Sequence, residues 1–142
     1  MPYSKTLVKS SACRLILFIS RSYVGKAHDF SILKTEFPPQ KKWFSKFEVR
    51  LDLGCQGFGG EYDCAKLFIP NKKKRSQELT GEQKAENKEI SSRRIRVEHS
   101  IAGLKRYRIL SERLRMHDFA LYDEIVGICA GLWNFNKKYP ND

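Results

Sequence analysis

Two carboxylates stand out by their surroundings in the sequence. Glu98 lies in RRIRVEHSIAGLKR (93–106), where every other charged residue is cationic, and Asp52 stands between the alternating segment KFEVRL and a glycine-rich loop. Carboxylate oxygens are the ligands that Mg²⁺ and Mn²⁺ prefer, and two such ions can activate a water or a 3′ hydroxyl for phosphodiester displacement. If the fold brings Asp52 and Glu98 together, they predict a metal site for that chemistry.

Helical geometry places two cations beside Glu98. At about 100° per residue, Arg94, Glu98 and Lys105 project within a ~40° arc of one helix, next to its apolar stripe. Arg94 and Lys105 would then neutralise the phosphates of bound DNA. The alternative is a simple ion pair between Arg94 and Glu98, one helical turn apart and worth a few tenths of a kcal/mol. Spacing alone leaves both interpretations open.

The composition favours a polyanionic partner. The 142 residues carry a formal net charge of +11 and 41% of them are hydrophobic, so we expect a folded chain that attracts nucleic acid. The four cysteines are scattered without a C-x-x-C pair, which argues against a zinc knuckle or a dense disulfide framework and favours a reducing cytoplasm. The loop after Asp52 lacks the G-K-S/T of a nucleotide-binding loop, so nothing supports ATP use.

The elements that position Asp52 lie in the first half of the chain. Residues 5–10 and 14–23 predict two strands of a hairpin, the second an interior strand. AHDFSILKTEF predicts a short helix with Asp29 as its N-cap. KFEVRLDLG alternates apolar residues on one face, so we predict a strand that ends at Asp52, and KLFIP predicts another strand at 66–70.

Glu98 requires a long helix in the second half of the chain. Thr80, with Gln83 three residues later, forms a capping box that begins this helix. Its apolar stripe spans a ~60° arc and consists of Ile90, Val97, Ile101 and Leu104. A second helix begins near Asp118, and its broad apolar face predicts deep burial. That face carries Phe119, Tyr122, Ile125, Val126, Cys129, Leu132 and Trp133.

For the other residues that could bind a ligand, the sequence predicts either two possible roles or a structural one. One loop is strongly cationic and contains Lys72, Lys73, Lys74 and Arg75. These residues either bind DNA phosphates or are simply exposed to solvent, and the sequence supports both interpretations. The three histidines have no metal-ligand spacing. Four aromatic residues are predicted to lie in the core and not to stack on bases; they are Trp43, Phe47, Trp133 and Phe135.

Two ordered motifs resemble the second half of the catalytic domain of bacterial DDE-type insertion-sequence transposases. The likeness runs from residue 25 to residue 135 and includes GKAHDFSILK. In that family a strand ends in an aspartate that opens a D-x-G-x-x-G loop, which is matched here by Asp52, Gly54 and Gly57 in LDLGCQGFGG. The second motif, R-x-x-x-E-x-x-x-x-x-x-K, lies on a helix and is matched by Arg94, Glu98 and Lys105.

The resemblance implies an α/β fold with a ribonuclease-H-like core, a mixed sheet with flanking helices. It implies Asp52 and Glu98 as catalytic ligands of Mg²⁺ or Mn²⁺, and the cutting and joining of DNA at the element's ends in the bacterial cytoplasm, at the nucleoid. The whole chain would form one partial catalytic domain. Its parts would be an early hairpin (1–25), a central helix and strand (26–60), and a cationic loop with two helices (61–142).

One departure from the family pattern changes the functional prediction. The family's first catalytic aspartate belongs on a strand before the early hairpin, whereas Asp29 is the only aspartate before Asp52 and follows that hairpin. We favour a helix cap over a ligand for Asp29. We therefore expect the first strand and first ligand to be missing, and the chain to be inactive by itself. Either it is the remnant of a decayed element, or an upstream transposase half encoded in a neighbouring reading frame completes the domain. The expected protein partners are that upstream half or a second copy in a homo-oligomer. The alternative function is a basic nucleic-acid-binding protein without catalytic activity.

Overall fold

A computed structural model describes residues 4–73, 78–111 and 118–140. Helices and strands both occur, so the predicted α/β class is confirmed, while the ribonuclease-H-like topology stays a prediction. The chain divides into two compact units, a terminal unit of residues 1–27 and 95–142 and a central unit of residues 28–94. Within the described residues, no helix is long and apolar enough to span a membrane.

The strands of the terminal unit pair two by two. They are β1 (Ser4–Lys5), β2 (Val8–Ser10), β3 (Ile16–Ile19) and β4 (Tyr23–Val24). β2 and β3 form the predicted antiparallel hairpin, and β1 pairs antiparallel with β4. β3 is not the interior strand that its apolar sequence predicts, because Ile16 is buried whereas Leu17 is 59% exposed. A strand with only β2 as its described neighbour buries one face, so the adjacent Ile16 and Leu17, which point to opposite faces, differ in burial.

The turn between β2 and β3 anchors the two long helices, α3 (Gly81–Lys105) and α5 (Phe119–Lys138). Arg14 has a left-handed φ of 65°, and its carbonyl accepts hydrogen bonds from Ser100 Oγ at 3.0 Å and from Trp133 Nε1 at 2.9 Å. Asn134 continues the pairing edge of β3, since its amide accepts from Ile16 N at 2.8 Å and donates to Ile16 O at 2.7 Å. Side chains of both helices are therefore fixed to one strand edge.

The core of the terminal unit lies where these elements meet. Its buried members are Ile16, Leu104, Cys129, Ala130 and Trp133. The predicted deep burial of the α5 face is wrong for Phe119 and Leu132, which are 40% and 49% exposed. A helix that packs along one side buries only the stripe that faces its neighbours. A short helix, α4 (Arg108–Ser111), follows α3, and Asp118 caps α5 as predicted, accepting from Ala120 N and Leu121 N.

The central unit begins with α1 (Asp29–Glu36) and contains β5 (Glu48–Arg50), α2 (Phe58–Glu61) and β6 (Lys66–Phe68). Asp29 is not the N-cap of α1; His28 is, because its ring Nδ1 accepts from Phe30 N at 3.4 Å. The parallel strands β5 and β6 confirm both predicted strands, although β5 ends at Arg50 and not at Asp52.

Aromatic residues form much of the core of the central unit. The buried rings are Phe30, Phe37, Phe44, Phe58 and Tyr62. Phe58 and Tyr62 stack with centroids 4.6 Å apart, and Tyr62 Oη donates to the Phe37 carbonyl at 2.6 Å. The core prediction holds for Trp133 but is wrong for Trp43, which is 37% exposed, and for Phe47 and Phe135, which are 57% and 60% exposed.

The amino end of α3 has the predicted capping box. Gln83 N donates to Thr80 Oγ1 at 3.2 Å, and Thr80 N donates to Gln83 Oε1 at 3.0 Å. This reciprocal pair satisfies backbone donors that the first turn of a helix leaves unpaired. Asn71 and Asn87 exchange hydrogen bonds of 2.7 and 3.1 Å between the backbone after β6 and the helix. Of the predicted apolar stripe, Ile90 and Leu104 are buried.

Candidate active site

Asp52 follows the end of β5 and starts a tight turn. It caps a short 3₁₀ helix, Leu53–Cys55, and its Oδ1 accepts a hydrogen bond from Leu53 N at 2.7 Å. Its side chain is 55% exposed. The carboxylate therefore stands at the carboxyl end of a parallel strand pair, where ligands commonly bind in α/β folds, with its backbone conformation fixed by its own side chain.

Arg94 orients this carboxylate from α3. Its Nη1 donates to Asp52 Oδ1 at 2.8 Å, and the Arg94 side chain is 43% exposed. An ion pair this exposed contributes at most about 1 kcal/mol to stability, so its main effect is on geometry. No described residue donates to Asp52 Oδ2. Asp52 thus has one oxygen held by donors and one that could coordinate a cation.

The two glycine positions of the D-x-G-x-x-G motif require glycine for different structural reasons. A Cβ at Gly54 would lie 2.7 Å from Asp29 Oδ2, so the loop can pass this close to Asp29 only without a side chain. Gly57 has a φ of 96°, a left-handed conformation that glycine adopts without strain. Asp29 therefore packs against the loop that follows Asp52, a contact that neither the cap nor the ligand interpretation of Asp29 predicts.

Cys55 is a buried residue of the turn that Asp52 caps. Burial, and then the negative charges of Asp29 and Asp52, raise the pKa of the Cys55 thiol from 9.0 to about 11. Each of these causes disfavours the thiolate. Cys55 is therefore held neutral beside Asp52, and a neutral thiol is a poor ligand for Mg²⁺ or Mn²⁺.

We expect Cys55 to resist alkylation by iodoacetamide at pH 8. A pKa of about 11 in place of 9.0 lowers the thiolate fraction about 100-fold, whereas Cys13 is exposed and should react first. Peptide mass spectrometry over time measures both rates. Asp52→Asn removes one of the charges and should accelerate Cys55 alone; equal labelling of Cys13 and Cys55 in the native chain would contradict this account.

The other predicted site residues lie on α3 and in the cationic loop. Glu98 and Lys105 are exposed residues of α3, and Lys105 lies in its last turn. Lys72 is exposed, and Lys73 forms an exposed pair with Glu78 at 3.5 Å. Lys74 and Arg75 fall outside the described residues. Within the described ranges, no three His, Cys, Asp or Glu residues lie close enough together to hold a metal.

Sequence reasoning found Asp52 and Arg94 but not the contact between them. It paired Arg94 with Glu98 or with DNA, because an alignment on one helix is visible in the sequence and a partner 42 residues away is not. The approach of Asp29 to Gly54 was missed for the same reason. The available signal was Gly54 itself, since a glycine in a tight turn permits a close approach of another part of the chain.

Comparison with known proteins defines the class of this chain. The sequence pattern of the family described as DDE superfamily endonuclease matches residues 4–134. The chain belongs to this family. Over 113 residues it is 34% identical to a protein of Microchaete diplosiphon described as "Probable transposase for insertion sequence element IS702". The matched region is 78% of this chain and 38% of that relative's length. No solved structure matches the chain.

Proposed function

We propose that this chain provides part of the catalytic domain of a DNA transposase, with a ribonuclease-H-like core and with Asp52 and Glu98 as its metal ligands. The observation that carries the proposal is the exposed Asp52 carboxylate at the end of β5, held through Oδ1 by Leu53 N and Arg94 Nη1. Membership of the DDE superfamily endonucleases supports the assignment to transposition. The 142 residues would act as one partial domain.

The residues present suit a hard divalent cation, because Asp52 offers a carboxylate oxygen without a described donor and Glu98 is an exposed carboxylate. A bound Mg²⁺ or Mn²⁺ would activate the attacking oxygen and neutralise charge on the phosphate. Asp52 would contribute Oδ2 as a ligand while Arg94 and Leu53 N hold Oδ1. Arg94 therefore has two roles in the proposal: it fixes the ligand and lends positive charge near the scissile phosphate.

DNA is the partner that the charges of the chain support. Four exposed cations, Arg94, Lys105, Lys72 and Lys73, are proposed phosphate contacts, and the net charge of +11 attracts DNA at longer range. The substrate would be the ends of a mobile element in the bacterial cytoplasm. Because the family mechanism uses three acidic residues and this chain matches two, we propose that catalysis requires a carboxylate from an upstream transposase half, since a second copy of the chain would carry the same two.

The 142-residue chain should bind duplex DNA in a strongly salt-dependent way and should not cut it. Four phosphate contacts give a slope of about −3.6 in log K against log salt, a loss of about 150-fold between about 50 and about 200 mM NaCl. Fluorescence anisotropy with a labelled duplex measures this slope, and a supercoiled plasmid with Mn²⁺ reports nicking. Efficient nicking by the chain alone would contradict the proposed requirement for a partner.

The alternative, a basic nucleic-acid-binding protein without chemistry, makes the same binding prediction. The two proposals differ in what Asp52 and Glu98 do once the missing carboxylate is supplied. Only the transposase proposal requires either side chain for phosphodiester cleavage, so carboxylate variants separate the two.

A further inference from the structure

The terminal unit contains a surface cleft that the proposed catalytic residues do not line. Its volume is about 330 Å³, at the small end of the range for ligand pockets. Residues from the end of α3 and the end of α5 line it; they are Gly103, Arg106, Tyr107, Trp133, Asn136 and Lys137. The lining combines two cations, an amide, a phenol and an indole, and it contains no carboxylate.

The walls of the cleft are held by specific contacts. The Trp133 ring lies directly on the α3 backbone at Gly103, where a Cβ would come within 2.1 to 2.4 Å of three ring carbons. Trp133 Nε1 is already bonded to the Arg14 carbonyl, so the indole contributes apolar surface and not a donor. Tight turns at the end of α3 place Arg106 and Tyr107, with Arg106 N donating to Gly103 O at 3.2 Å. Lys137 Nζ lies 4.7 Å from the indole centroid.

The helix ends at the cleft carry more cations than are required to neutralise the partial negative charges of their carboxyl termini. Each helix carboxyl terminus carries roughly half a negative charge, so two termini are balanced by about one cation. The last turns of α3 and α5 and the residue after α3 provide four cations, Lys105, Arg106, Lys137 and Lys138. None of the four pairs with a carboxylate among the described residues. Of these four, Arg106 and Lys137 line the cleft, and their charge exceeds the half charge of each helix terminus, so positive charge remains for an external anion.

We propose that this cleft binds one nucleotide unit of a DNA strand, with the phosphate between Arg106 and Lys137 and the sugar against Tyr107 and the indole edge. Paired cations with an amide donor suit a phosphodiester, and the apolar wall suits a deoxyribose. The inference rests on the proposed function only in taking DNA as the partner. It adds a contact to the DNA backbone, and this contact does not depend on a metal ion or on Asp52 and Glu98.

The test compares two double variants of the full chain that lose the same charge. Arg106→Gln/Lys137→Gln alters the cleft, whereas Lys26→Gln/Lys88→Gln removes two exposed cations elsewhere. Anisotropy with a labelled duplex in EDTA should show at least about a tenfold loss of affinity for the cleft variant and less than threefold for the control. Arg106→Lys/Lys137→Arg should stay within about threefold of the parent. Equal losses in the two charge-removing variants would overturn the proposal.

A second measurement reports on the cleft itself and distinguishes DNA from other anions. In a Trp43→Phe background, Trp133 is the remaining tryptophan and reports on the cleft. DNA should change the fluorescence of Trp133 when the cleft is unaltered, but not when Arg106→Gln/Lys137→Gln is also present. Inorganic phosphate or poly-glutamate that reproduces the change as effectively as DNA would overturn the assignment to nucleic acid. Asp52→Asn should not alter the DNA-induced change in Trp133 fluorescence. Failure of the catalytic proposal would therefore appear in cleavage assays, whereas failure of the cleft proposal would appear in this fluorescence signal.

Discussion

Gly103→Ala should destabilise the chain by about 3 kcal/mol, the largest stability effect that we expect from a single added methyl group. The new Cβ would lie 2.1 to 2.4 Å from three carbons of the Trp133 ring. The ring cannot move aside cheaply, because Trp133 is a buried core residue and its Nε1 is bonded to the Arg14 carbonyl. Overpacking a core costs about 1 to 3 kcal/mol, and removing a large aromatic residue from its site costs about 3 to 5 kcal/mol.

A matched substitution separates this clash from helix propensity. Gly131 lies in the interior of α5, and a Cβ there would meet nothing within 4 Å. Gly131→Ala should therefore gain up to about 1 kcal/mol, since alanine is the better helix former. Urea denaturation of both variants gives the free energies of unfolding. A Gly103→Ala chain as stable as the Gly131→Ala chain would show that α3 and the indole do not pack as described.

Local sequence signals correctly predict the amino ends of the two long helices. The Thr80 and Gln83 capping box and the Asp118 cap depend on residues at most three positions apart, and their hydrogen bonds form as predicted. The cap of α1 was misplaced by one residue, because Asp29 is the commoner capping type but the His28 ring accepts the bond. Such signals are read correctly when the chemistry is local and unambiguous.

Contacts between distant residues could not be predicted in this way. Asn134 bonds to both backbone groups of Ile16, 118 positions away, and the Arg94 to Asp52 pair spans 42 positions. Residue type alone overestimates burial on α5, because the packing geometry buries only one stripe of the helix and leaves apolar residues such as Leu132 exposed. The motif is enough to predict Asp52 as a site residue, but the sequence does not predict the groups that donate hydrogen bonds to it.

Asp52→Asn and Glu98→Gln should each reduce DNA cleavage by about 10³-fold in a transposase domain that is otherwise complete. A metal ligand of this kind stabilises the transition state by several kcal/mol, and about 4 kcal/mol corresponds to three powers of ten in rate. Both substitutions keep the size of the side chain and remove its charge. Duplex binding in EDTA should change little, because neither carboxylate is proposed to contact phosphate directly.

Glu89→Gln is the control for a general effect of charge on α3. Glu89 is an exposed carboxylate of the same helix and pairs with Arg93 at 2.8 Å. Its loss removes a surface pair worth at most about 1 kcal/mol. Cleavage by the Glu89→Gln chain should therefore match that of the parent.

The most direct measurement is Mn²⁺-dependent nicking of a supercoiled plasmid by the chain extended upstream with a segment that restores the first catalytic aspartate of the family. The transposase account predicts nicking by the completed parent and by Glu89→Gln, and its loss in Asp52→Asn and in Glu98→Gln with DNA binding retained. Nicking that persists undiminished in the Glu98→Gln chain would contradict the central claim that this glutamate is a catalytic metal ligand.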